Sequence, residues 1–111
     1  MKVFLDDLRD TPDGWTRAYT APEAIRLVAT GWVTHLSLDH DLGEDPAVGC
    51  GYDVLTWLEE QVACYGATPP EHIFVHSSNA GARPKMEAAI ETIRRLAQEL
   101  DMPDRSGMLS K

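Results

Sequence analysis

Three short clusters in this chain bring together side chains that can do chemistry. Asp6 and Asp7 are adjacent, with Arg9 close behind. Asp39, His40 and Asp41 are consecutive, and His76, Ser77, Ser78 and Asn79 form a third run. Carboxylates held within about 4–6 Å of one another repel unless something positive joins them. A hard divalent cation with oxygen ligands, Mg²⁺ or Mn²⁺, meets that need. Asp6, Asp7, Asp39 and Asp41 are therefore candidate metal ligands, and His76 is a candidate general acid or base. Each has a plainer reading. Arg9 can pair with Asp6 or Asp7 to close a turn, and a histidine at a strand end often serves structure alone. Alternation along an extended strand points Asp39 and Asp41 to one side and His40 to the other, so His40 suits either role. The run Gly49-Cys50-Gly51-Tyr52-Asp53 can turn backbone N–H groups toward a phosphate at a helix start. It equally makes a tight turn with Asp53 in the first helical turn. It is neither a G-x-G-x-x-G nor a Walker loop.

Each cluster follows a short apolar run, and those runs must position it. Lys2-Val3-Phe4-Leu5, His35-Leu36-Ser37-Leu38 and Ile73-Phe74-Val75 read as buried strands. Residues 15–19 alternate and predict a further short strand. Thr20 with Glu23 makes a capping box, with Pro22 in the first turn of a helix whose apolar stripe is Ala24, Ile25, Val28 and Ala29. A second helix is predicted over 52–65, closed by Gly66 and the Pro69-Pro70 pair, and a third over 84–100. Alternating strands and helices predict an α/β fold with four mainly parallel strands and helices on both faces. The connection after the first strand is too short to hold a helix, which thins one layer there. Ligands of such sheets bind beyond the carboxyl ends of the strands, where all three clusters converge. The domain is expected over 1–100, followed by a tail over 101–111.

At 111 residues the chain is one domain's worth, with 10 Lys and Arg against 18 Asp and Glu, a formal charge of −8. That balance disfavours an extended nucleic-acid surface or attraction to anionic membranes. It suits a small or terminal phosphate met through a metal. Cys50 and Cys64 form no C-x-x-C motif and read as reduced thiols. Neither a signal peptide nor a membrane-spanning helix is expected, which makes the expected location cytoplasmic.

The motifs Leu5-Asp6-Asp7-Leu8-Arg9, Gly14-Trp15, Ser37-Leu38-Asp39-His40-Asp41-Leu42-Gly43, Gly51-Tyr52-Asp53 and His76-Ser77-Ser78-Asn79, in this order, resemble the cyclic-phosphate processing receiver-like domains. The resemblance spans roughly residues 2–96 and implies a receiver-like, flavodoxin-like fold. It implies that Asp6, Asp7 and Asp39 form the receiver's acidic metal cluster, with Asp39 at the phospho-acceptor position. The family's added polar set maps onto Arg9, Asp41, His76 and Asn79. Two departures stand out. Ala80-Gly81 and Pro84-Lys85-Met86 replace the family's usual residues after Asn79, and the receiver's fifth strand and its Lys are missing. The missing Lys argues against a phosphorelay receiver. The implied activity is metal-dependent processing of a cyclic phosphate at an RNA end or on a nucleotide. Asp39 and His76 would act in catalysis, with Arg9, Asn79 and Ser77 against the phosphate. A non-catalytic metal- and nucleotide-binding or signalling module is the alternative.

Overall fold

The computed structural model describes residues 1–43 and 45–101. Strands β1 (Lys2–Leu5), β2 (Thr16–Ala18), β3 (His35–Leu38) and β4 (His72–Val75) form one fully parallel sheet in the order β2-β1-β3-β4. Helices α1 (Ala21–Ala29), α2 (Gly51–Tyr65) and α3 (Ala82–Asp101) follow β2, β3 and β4, and a 3₁₀ turn at Pro46–Val48 precedes α2. This is a receiver-like α/β fold in flavodoxin-like strand order, with no fifth strand among the described residues. The expected tail, beyond the end of α3, lies outside them. Among the described residues no helix is long and apolar enough to cross a membrane.

The local signals act as the chemistry requires. Thr20 Oγ1 accepts from Glu23 N at 3.2 Å, and Glu23 Oε1 accepts from Thr20 N at 3.1 Å. Asp53 caps α2 by accepting from Cys50 N at 2.9 Å, so its carboxylate serves the helix start. Gly66 ends α2 at φ 68°, a left-handed conformation that glycine adopts without a Cβ penalty.

The expectation of helices on both faces is corrected. Val3, Leu5, Leu36 and Leu38 are fully buried in one core with Ala24 and Val28 of α1, Val54, Leu55, Leu58 and Val62 of α2, and Met86 and Ile93 of α3. All three helices therefore cover the same face. The steps from β2 to β3 and from β3 to β4 run the same way across the sheet, and right-handed crossovers then place their helices on one side. The step from β1 to β2 runs the other way, and its crossover would cover the opposite face. Residues 6–15 hold a turn there instead. On that open face stand the alternate residues, among them Phe4, Ser37 and Phe74, which are paired across β1, β3 and β4.

Register decides what meets at the carboxyl edge. Leu5 pairs with Leu38, and Leu38 with Val75. The ladder runs one residue further: Asp39 N donates to Leu5 O at 3.0 Å and His76 N to Leu38 O at 2.9 Å. Asp6, Asp39 and His76 thus stand in one row across three strands. Gly51 closes this edge from the helix side. A Cβ at Gly51 would collide with the carbonyl oxygen of Asp39 and lie 2.8 Å from Met86 Cε. Gly51→Ala is expected to cost about 1–3 kcal/mol through overpacking. Urea denaturation checks this, and an unchanged midpoint would mean that α2 does not close on β3 as described.

Candidate functional site

Asp6 is a charge held out of water and met by protein donors instead. It is 1% exposed. Its Oδ1 accepts from the backbone N–H groups of Leu8 at 2.8 Å and Arg9 at 3.0 Å, which folds the turn after β1 back onto the strand end. Its Oδ2 accepts from the Arg9 guanidinium and from His76 Nε2, each at 3.0 Å. The same Arg9 nitrogen lies 3.7 Å from Asp39 Oδ2, so one guanidinium joins two carboxylates from neighbouring strands. This is the plainer reading of Arg9 realised, with Asp39 added to the pair.

His76 is held from both ends and from one face. Nδ1 lies 2.7 Å from Ser37 Oγ, Nε2 faces Asp6, and the ring stacks on Phe4 with centroids 4.3 Å apart and planes within 5°. A Ser37 hydroxyl donating to Nδ1 and an Nε2–H donating to Asp6 is the neutral tautomer that satisfies both contacts. Burial pushes the His76 pKa down, and the hydrogen bond and charge of Asp6 with the charge of Asp39 only partly offset this. Burial also works to raise the Asp6 pKa, yet the donors from Arg9, Leu8 and His76 outweigh it and hold the carboxyl at about 2.

Sequence reasoning missed Ser37 as a partner of this site. Its signal was present: a hydroxyl between Leu36 and Leu38 in a strand interior points away from the core its neighbours fill.

The remaining candidates divide around this row. Asp6, Asp39 and His76 offer ligand atoms that all lie within 4.8 Å of one another, a group able to hold a metal ion. Asp7 and Asp41 lie outside that group. Asp41 is exposed, accepts from Asn79 Nδ2 at 3.3 Å and lies 2.8 Å from His40 Nδ1, and the His40 contact chiefly lowers its pKa. Asn79 Oδ1 accepts from Gly81 N and Ala82 N at 3.0 Å, which ties the loop to the start of α3. Ser77 is 3% exposed and its Oγ accepts from Asn79 N at 3.0 Å, so it braces the loop from inside. Gly51 serves packing and Asp53 the helix cap, as described above.

The Asp6 carboxyl has a folded pKa below its ordinary 3.8. Its contribution to stability is thus fully present above about pH 4 and is lost as pH falls through about 2. The stability difference between the native protein and Asp6→Asn is expected to shrink by about 2 kcal/mol between roughly pH 5 and pH 2. Urea unfolding of both proteins across that range checks this, and a difference independent of pH would contradict the pairing.

No curated protein and no solved structure matches the chain. The family model for the cyclic-phosphate processing receiver domain matches residues 1–92. With the strand order and the acidic row at the carboxyl edge, that match settles the family: this chain belongs to the cyclic-phosphate processing receiver domains.

Proposed function

We propose that this domain hydrolyses a cyclic phosphate, a nucleotide or RNA terminus, using a divalent cation. The observation that carries the proposal is the buried Asp6–His76–Ser37 chain set beside Asp39 and Arg9 at the sheet's switch point. Mg²⁺ is commonly bound through one or two carboxylates together with substrate phosphate oxygens, and the Asp6 and Asp39 pair fits that requirement. Mn²⁺ takes the same kind of oxygen donors. Asp7 and Asp41 supply the acidic surround. When bound, the cation supplies positive charge against a phosphoryl oxygen and lowers the pKa of water.

The protein's own groups have separate tasks. In its protonated form His76 donates Nδ1–H to Ser37 Oγ and carries a second proton on Nε2, which can pass to the ester oxygen that leaves when the ring opens, returning the imidazole to neutral. Water provides the oxygen of the new P–O bond, and the proton it loses restores His76. The Arg9 side chain is 43% exposed, which leaves its guanidinium room to turn from the carboxylates to a non-bridging oxygen. Asn79 offers Nδ2 to a second oxygen, with Ser77 fixing its loop. A second reading, binding without turnover, draws on the same Arg9 contacts, because a guanidinium already spanning both carboxylates can hold them together without a metal. The cytoplasm is the proposed location.

A cation joining repelling carboxylates stabilises the folded state by mass action. Millimolar Mg²⁺ or Mn²⁺ should raise the melting temperature, and Asp39→Asn should remove most of the rise. An equal rise in both proteins would place the cation elsewhere.

His76→Gln tests the proton role. Its kcat should fall by at least about a hundredfold, within the usual contribution of a general acid or base, while Mn²⁺ affinity by calorimetry changes little. A parallel loss of Mn²⁺ affinity would make His76 a ligand instead. Retained turnover would make it structural, and binding of a cyclic phosphate without turnover by either protein would support the second reading.

A further inference from the structure

The open face of the sheet runs directly into the site, and its composition is unusual for a parallel sheet. Strands covered by helices read as Val, Ile and Leu runs, as the helix-bearing face here does. At the positions of β1 to β4 that point to the open face there is no aliphatic residue. Rings stand there instead, and they touch in sequence. Phe4 meets Trp15 edge-on at 6.2 Å, Trp15 meets His35 at 6.1 Å, His35 lies 4.4 Å from His72, and His72 and Phe74 are parallel at 6.2 Å. Phe4 stacks on His76 and so joins this tiling to the site. Phe74 is 47% exposed and shares a cleft with Arg83, Glu87 and Glu91 of α3.

Such a face does not suit an amphipathic partner helix, whose aliphatic stripe would meet imidazoles. It suits a flat π-faced ligand, because bases stack on exposed aromatic side chains of open sheets. Two cations border the other end of the tiling, on the β1–β2 side. Lys2 lies over Trp15 at 5.8 Å, and Arg17, anchored to the Asp6 carbonyl at 3.3 Å, brings a second cation beside the acidic row in a chain that is otherwise strongly acidic. Phe74 is two residues before His76 on one strand, about 7 Å away along it, a separation that one sugar spans between a base and its phosphate.

We propose that the open sheet face around Phe74 is a nucleobase platform, so that the cyclic phosphate taken at the Asp6–Asp39–His76 end carries a base. This rests on the cyclic-phosphate reading above and specifies where the base of its substrate binds.

Calorimetric titration of the full chain with three probes, in Mg²⁺, tests it. The probes are adenosine 2′,3′-cyclic phosphate, a methyl riboside 2,3-cyclic phosphate that lacks the base, and a short RNA ending in a 2′,3′-cyclic phosphate. The native protein should bind the adenosine compound roughly five- to a hundredfold more tightly than the riboside, the range expected for one stacked base. Phe74→Ala should erase that preference without changing riboside affinity, and Phe74→Trp should keep it. An RNA end bound more tightly than the mononucleotide would identify a polymer terminus as the source, and equal affinities a free nucleotide. Equal binding of adenosine and riboside forms by both native protein and Phe74→Ala overturns the platform and leaves the cyclic-phosphate reading standing. Failure of the native protein to bind any probe overturns both. A change in sedimentation on Phe74→Ala with no change in base preference makes the face a protein interface and overturns the proposal.

Discussion

A carboxylate removed from water must be met by donors or it does not stay charged. Asp6 is 1% exposed and receives four hydrogen bonds, two from backbone N–H groups and two from side chains. Those bonds shape everything around it. The backbone pair bends the chain after β1, which delivers Arg9 to the edge of the sheet. Arg9 then reaches Asp39 on the neighbouring strand, and His76 arrives from the strand beyond. Without the Asp6 charge the turn, the arginine and the histidine would have no common partner.

The surrounding fold makes that hub possible by being one-sided. Three helices pack on one face and shield the aliphatic half of each strand. The other face is left to side chains that cover each other, and Phe4 is only 7% exposed because His76 and Trp15 lie against it. His76 is therefore at once part of the site and part of the packing of the sheet. Its lowered pKa follows from that double duty, since the same burial that supports the stack disfavours the imidazolium.

The loops divide the remaining polar groups between holding and reaching. Ser77, Gly51 and Asp53 hold: each is spent on a turn, a close approach or a cap. Arg9, Asn79 and Asp41 lie nearer the surface, and their side chains keep atoms directed toward solvent. That division explains why residues adjacent in sequence, such as Asp6 and Asp7, end in different environments. Neighbours along a strand or its continuation point to opposite sides, and beyond the strand the turn decides the rest.

Much of this was written in local sequence. The strand ends at Asp6, Asp39 and His76, the capping box of α1, the Gly66 stop and the parallel order follow from short-range rules of periodicity, capping and crossover. Those rules suffice because each concerns a few neighbouring residues or a strand's immediate sequel. Tertiary structure decided three things that they do not reach. It set His76 beside Asp6 and Asp39, because the row is set by the register of three strands far apart in the chain. It drew in Ser37, whose partner lies 39 positions away. It left one sheet face without a helix among the described residues, because helix placement depends on the direction of each step across the sheet, and the step from β1 to β2 was made by a turn.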